Sequence, residues 1–250
     1  LSSACKTTSS ISQAGSEPIP FISEVPVIDG QLDLDLLDLP AREFKHFFQF
    51  DNPKTPKIPV TYRLAYTPEH LYIFIQAEVD SVNYRPRGFI NGDGFKLLIG
   101  KPQSGKKTNE YYEMVFSPSK DPDYWARKRI WTYNFDQRSG KKLSRQTDFK
   151  EGVFGGIAGY EALIAWEDIY PYHPWFMPEM GINLYFAKAL GDTITNGYAM
   201  VKDEGIWDED IPKRKFQLNT FSVPAEVSKT AACFQLSRNH MLGGEKLWLK

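Results

Sequence analysis

The sequence predicts an all-β protein: one antiparallel β-sandwich or jelly roll of about ten strands. Three observations carry this expectation. Two long runs alternate apolar and polar residues with a period of two around a short Pro-containing turn. Aromatic residues are abundant (17 Phe, 13 Tyr, 6 Trp), and so are chain breakers (18 Gly, 17 Pro). That pairing suits short strands joined by turns better than long helices. Finally, 250 residues suffice for one large core, since a chain of this size buries roughly 70% of its unfolded surface.

The elements follow in chain order. Residues 1–18 are read as a Ser/Thr-rich flexible tether. Pro18 to Pro26 is extended, and its prolines restrict it to an edge or opening strand. Asp33 to Leu39 alternates acids with Leu and stops at Pro40, which fits one helical turn or a short strand. Arg42 to Phe50 carries Phe44, His46, Phe48 and Phe50 in step. The clearest signal comes next. Val60, Tyr62, Leu64 and Tyr66 alternate, Thr67-Pro68-Glu69-His70 turns, and Leu71, Ile73, Ile75, Ala77 and Val79 alternate again. That is a β-hairpin.

Further strands are expected at Phe95–Ile99 after the Asn91-Gly92-Asp93-Gly94 turn, at Glu110–Phe116, and at Lys128–Phe135 with Trp131, Tyr133 and Phe135 on one face. Arg138 to Lys141 reads as a turn. Tyr160 to Trp166 suits strand or helix on pattern alone. Gly181–Leu190 alternates Ile182, Leu184 and Phe186 against Asn183, Tyr185 and Ala187, and Phe216, Leu218 and Thr220 form a last strand. Residues 19–222 thus form the sandwich, with 223–250 as an extension packed on it.

Several function classes are disfavoured. With 30 Lys plus Arg against 31 Asp plus Glu, the net charge is −1, so the basic footprint of a nucleic-acid binder is missing. The short basic clusters, Arg127 to Arg129 among them, read as solvated turns or strand ends. No apolar run approaches the ~20 residues that a spanning helix needs. Phosphate loops, zinc-type His or Cys spacings and nucleophile elbows are absent from the sequence. Glu110 and Glu113 fall on opposite strand faces, and Glu161 and Glu167 lie six apart, so a glycosidase carboxylate pair is a weak alternative. A haem held by Met177, Met180, Met200 or Met241 is another.

The tryptophans are the better lead. Trp125, Trp175 and Trp207 lie in loops beside acids, prolines and amides rather than in alternating strands. Indole faces stack on the C–H faces of sugars, while Asp, Asn and Arg grip the hydroxyls. Of the two cysteines, Cys5 follows Leu1-Ser2-Ser3-Ala4, which resembles the end of a bacterial lipoprotein signal. Cys5 is therefore a candidate for lipidation, and the protein is expected to be exported to the cell envelope or beyond.

The order of motifs resembles the family 9 carbohydrate-binding modules and their relatives. The residues that carry this are Val27-Ile28-Asp29-Gly30-Gln31-Leu32-Asp33, the Val60–Asp80 hairpin, Asn91-Gly92-Asp93 with its following strand, Gly159 to Trp166, and Gly181-Ile182-Asn183-Leu184. The resemblance implies a β-sandwich, makes Tyr160–Trp166 a strand, and implies non-catalytic binding of an oligosaccharide or polysaccharide. It allows a structural calcium and requires no other cofactor. Two aromatic rings would clamp the sugar: Trp207 as one, and Tyr84, Trp125 or Trp175 as the other. Arg85, Asn91 and Asp93 would supply polar grip. Gly94 and Lys96 depart from the family pattern. A monomer serving polysaccharide capture or degradation is expected, with no nucleic-acid partner.

Overall fold

The computed structural model describes residues 16–50, 55–85, 91–102, 106–134, 137–189, 194–202 and 216–223. Its strands, in chain order, are β1 (Glu17–Pro18), β2 (Arg42–Glu43), β3 (His46–Gln49), β4 (Val60–Tyr66), β5 (His70–Ala77), β6 (Gly94–Gly100), β7 (Lys107–Thr108) and β8 (Glu110–Phe116). They continue as β9 (Lys128–Asn134), β10 (Gln137–Lys141), β11 (Asp148–Phe154), β12 (Ile157–Ala165), β13 (Glu179–Ala189), β14 (Ile194–Ala199), β15 (Phe216–Gln217) and β16 (Asn219–Ser222). Two 3-10 turns, Leu34–Leu36 and Trp166–Ile169, accompany them.

Two sheets face each other. The larger runs β1-β16-β13-β6-β8-β9-β10, and the smaller runs β11-β12-β5-β4-β2. The eleven-residue β13 pairs with β6 along one edge and serves two neighbours along the other. Glu179–Ile182 pair with β16, and Tyr185–Ala189 pair with β14, which also pairs with β3. A short β15-β7 pair stands apart.

The alternation fixes which side chains enter the core, because successive strand residues point to opposite faces. Val60, Tyr62, Leu64, Tyr66, Leu71, Ile73, Ile75 and Ala77 pack inward from the smaller sheet. Phe95, Leu97, Ile99, Met114, Phe116, Ile130, Ile182, Leu184 and Phe186 meet them from the larger sheet. Met180 and Met200 are buried in this same core, as packing residues. Among the described residues no helix is long and apolar enough to cross a membrane.

Four sequence expectations change. The Arg42–Phe50 run is not one alternating strand. β2 belongs to the smaller sheet and β3 to the larger, so the chain changes sheets near residue 45. Phe44 therefore packs on Tyr62 and Phe47 on Tyr198, with ring centroids 4.9 and 5.4 Å apart, while Phe48 faces the outer layer. Residues 138–141 are not a turn but part of β10, a fully exposed edge strand hydrogen-bonded to β9. The Phe216–Thr220 run splits at Leu218. Phe216 and Leu218 pack outside the larger sheet, whereas Phe221 enters the core. Finally, Arg127 is buried rather than solvated.

Both outer faces are also apolar. Ile22, Ile28, Leu32, Leu36 and Leu39 cover Ala65, Tyr72, Phe74 and Leu163 on the smaller sheet. This N-terminal cover is pinned by Glu161, whose carboxylate accepts the Asp29 and Gly30 N–H groups at 3.0 Å each and the Tyr72 hydroxyl at 2.7 Å. Burial pushes the Glu161 carboxyl up to about 7, against the lowering effect of those bonds. Gly30 sits at φ 86°, and a Cβ there would meet the Glu151 carbonyl carbon at 2.5 Å. Only glycine fits this position.

Candidate ligand-binding site

The Asn91-Gly92-Asp93 turn stands at one end of the sandwich, but Asp93 points inward. Its side chain is 0% exposed and faces Lys188, also 0% exposed, with Nζ 2.6 Å from Oδ2. The same carboxylate accepts the Tyr160 hydroxyl at 2.6 Å, the Asn83 N–H at 2.8 Å and the Ala189 N–H at 2.8 Å. Lys188 donates in addition to the Ser81 carbonyl at 2.7 Å. Burial and the Asp93 charge hold the Tyr160 phenol well above its usual range, so it stays a donor. With its oxygens committed to internal donors, Asp93 braces the site from beneath. It is not a surface grip.

The brace fixes the segment after β5. Asp93 N–H returns a bond to the Asn83 carbonyl at 3.1 Å. Gly92 lets this segment lie close, since a Cβ there would meet the Arg85 Cβ at 2.8 Å and the Asn83 carbonyl at 3.0 Å. Tyr84, Arg85 and Asn91 are each partly exposed as a result. Burial raises the Tyr84 phenol pKa, and the Glu151 charge adds to this, so its hydroxyl remains protonated at neutral pH.

The opposite wall is the loop between β8 and β9. Ser119, Lys120, Asp121 and Tyr124 together with Tyr84 and Arg85 line a cleft of about 390 Å³. The Asp121 carbonyl accepts the Tyr124 N–H at 3.2 Å, and the Tyr124 carbonyl accepts the Arg127 N–H at 2.9 Å, which makes the loop a compact double turn. Arg127 anchors it. Its guanidinium donates to Ser119 O at 2.8 Å, to Phe149 O at 3.0 Å and to both Glu151 oxygens at 3.1 and 2.5 Å. Burial raises the Glu151 pKa, and Arg127 counters it. Trp125 stands outside the cleft with its ring centroid 5.9 Å from that of Tyr124, and it is 68% exposed.

Of the residues expected to touch ligand, Tyr84, Arg85, Asn91 and Trp125 thus gather at one end. Trp175 does not join them. Its loop follows β12, where Trp166 donates Nε1–H to the Thr67 carbonyl at the start of the hairpin turn. The backbone N–H of Trp175 donates to His173 Nδ1, and the two rings lie 5.2 Å apart. Burial lowers the His173 pKa to about 4, which keeps the acceptor neutral. This aromatic cluster contacts β8 through Tyr112, whose hydroxyl donates to the Tyr170 carbonyl. No residue of this cluster lines the cleft. Trp207, Cys5, Met241 and the 224–250 extension lie outside the described residues.

Of the acids considered for catalysis, Glu161 is bound as described and Glu113 is buried with Lys96 Nζ at 3.6 Å, while Glu110 and Glu167 are exposed and lie outside the cleft. Among the described residues no three His, Cys, Asp or Glu side chains gather as a metal site.

Sequence reasoning missed Lys188, Arg127 and the Ser119–Tyr124 wall. Lys188 shares the parity of Leu184 and Phe186, so a cation on a core-facing position was the available signal for a buried partner. Loop walls carry no such periodicity.

No protein-family model matches the sequence, and no curated protein does. Solved structures do. A family 9 carbohydrate-binding module from Caldicellulosiruptor kristjanssonii in complex with cellotriose superposes with a TM-score of 0.55 at 13% identity, covering 86% of this chain and 97% of that one. The glucose complex from the same organism gives 0.53 at 12% identity, covering 84% and 97%. A Bacteroides uniformis protein provisionally described as carbohydrate-binding gives 0.54 at 13%, covering 84% and 100%. The fold is therefore the sandwich of these modules.

Proposed function

We propose that this protein is a non-catalytic carbohydrate-binding sandwich that takes an oligosaccharide or one unit of a polysaccharide in the cleft between Tyr84–Arg85 and Ser119–Tyr124. The observation that carries the reading is this cleft: a concave site with two phenols, two cations and an acid, next to an exposed indole, at the braced end of a fold shared with sugar-bound modules. Tyr84 and Tyr124 supply ring faces and hydroxyl donors. Arg85, Lys120, Asp121 and Asn91 supply edge hydrogen bonds. Trp125 stacks on the sugar from outside, and Trp207 is the proposed second ring. The rigid Lys188–Asp93 and Arg127–Glu151 pairs keep both walls in place before ligand arrives, which lowers the ordering cost of binding.

Export, lipidation at Cys5 and service to polysaccharide capture belong to the same proposal, and mass spectrometry of the membrane-associated protein tests the lipid. The binding reading is tested by a glycan array followed by isothermal calorimetry. Binding of a neutral oligosaccharide is expected, weakened about fivefold by Trp125→Ala with no loss of stability, since one stacked ring contributes about 1 kcal/mol. Absence of binding across the array refutes it.

A further inference from the structure

Beyond the cleft, the larger sheet carries a continuous ladder of rings and guanidiniums. Arg129, Trp131 and Tyr133 alternate along one face of β9, the face opposite core-facing Ile130. The Arg129 guanidinium lies 5.9 Å from the Trp125 ring and 4.9 Å from the Trp131 ring. Arg138, across the strand pair from Tyr133, lies 4.4 Å from the Trp131 ring and 5.6 Å from the Tyr133 ring. Gly140, opposite Trp131, places no side chain over the indole. Glu113, the acid beside Trp131 on β8, is held by Lys96. Every residue of β10 is exposed, and Arg129 and Trp131 are partly exposed, while Tyr133 is buried beneath Arg138.

We infer that this ladder is a track for an acidic polysaccharide, with uronate carboxylates gripped by Arg129 and Arg138 while the adjoining sugar unit occupies the cleft. The inference rests on the carbohydrate reading above and names its ligand class. A guanidinium stacked on an indole is held flat with its N–H edge directed sideways, and that planar fork matches a carboxylate in two parallel hydrogen bonds. Arg129 from β9 and Arg138 from β10 lie 4.9 and 4.4 Å from the one Trp131 ring, so two planar forks flank a single indole. Arg85 and Lys120 continue the cationic lining into the cleft. The whole chain has a net charge of only −1, so the attraction is local to this face.

The test titrates the full protein with cellotriose, polygalacturonate, dextran sulfate and single-stranded poly-dT at low and high salt. Polygalacturonate is expected to bind more tightly than the neutral sugar, and to weaken as salt screens the charges. Arg138→Ala should weaken polygalacturonate binding about fivefold, the scale of one exposed charge-assisted contact. It should leave cellotriose binding and the melting temperature unchanged. Arg138→Lys, which keeps the charge without the fork, should fall between. If cellotriose binds and polygalacturonate binds no better, the track is refuted and the carbohydrate reading stands. If no sugar binds, the carbohydrate reading itself fails and the track with it. Preference for dextran sulfate or poly-dT, or an Arg138→Ala variant that holds polygalacturonate as before, also overturns the assignment.

Discussion

Replacing Lys188 with Met would remove the cation from beneath the cleft and leave the rest of the core in place. The methionine chain follows the lysine stem closely, so little cavity results. What is lost is the 2.6 Å ion pair to Asp93 and the 2.7 Å bond to the Ser81 carbonyl. Both partners of the pair are 0% exposed, and breaking such a buried pair from one side costs about 3–5 kcal/mol. Asp93 would retain the Tyr160, Asn83 and Ala189 donors, which still solvate its charge. Ser81 is exposed, so water replaces its lost donor. The lower end therefore applies, about 3 kcal/mol. Urea unfolding followed by tryptophan fluorescence measures it directly, and at 2–4 °C per kcal/mol the melting temperature should fall by about 9 °C. The double variant Lys188→Met with Asp93→Asn should recover part of the loss, because no charge is then left buried. A Lys188→Met penalty below about 1 kcal/mol, with no recovery in the double variant, would mean that the pair is effectively hydrated.

Three further outcomes follow from the same structure. Glu161 has a folded pKa of about 7, above its ordinary value of 4.5, so the folded state holds a proton that the unfolded chain releases as pH rises. Its burial therefore weakens the fold between those values. From pH 5 to 8 the parent should lose about 2 kcal/mol relative to Glu161→Gln, whose amide satisfies the same partners, and parallel urea curves would contradict this. Gly30→Ala should destabilise by more than 2 kcal/mol, because it combines a positive φ with a 2.5 Å clash against backbone. Arg127→Met should leave Glu151 buried and unpaired and loosen residues 119–125, seen as faster amide exchange in that loop than in β5.

The strands were legible where the core-facing residues kept a strict period of two. In the β4-β5 hairpin Val60, Tyr62, Leu64 and Tyr66, and Leu71, Ile73, Ile75 and Ala77, mark the core face in step, although Ala65, Tyr72 and Phe74 are buried on the other face as well. β9 was legible as a strand but not as a platform. Trp131 and Tyr133 face away from the sandwich core, and an alternating pattern does not say which side is inside. The sheet change between Phe44 and Phe47 was hidden because one irregular residue shifts the parity without any Gly or Pro to mark it. For the site, the Asn91-Gly92-Asp93 turn lies beside the proposed cleft, yet Asp93 belongs to an internal brace. Sequence cannot distinguish a turn acid that faces water from one that reaches a lysine 95 residues away. Trp175 packs with His173 rather than at the cleft, a difference that loop position beside prolines does not reveal. Arg127 looked like one member of a solvated basic cluster, and only the approach of β11 places Glu151 against it.

The most direct measurement is a residue-resolved map of sugar binding, by NMR of labelled protein titrated with cellotriose. Shifts confined to residues 81–85, 91–93 and 117–127 and to Trp207 are predicted, with the Tyr84 and Trp125 side chains moving most and the 166–177 cluster unchanged. Shifts centred on Trp175 and its neighbours, or no shifts at saturating sugar, would contradict the assignment of the cleft.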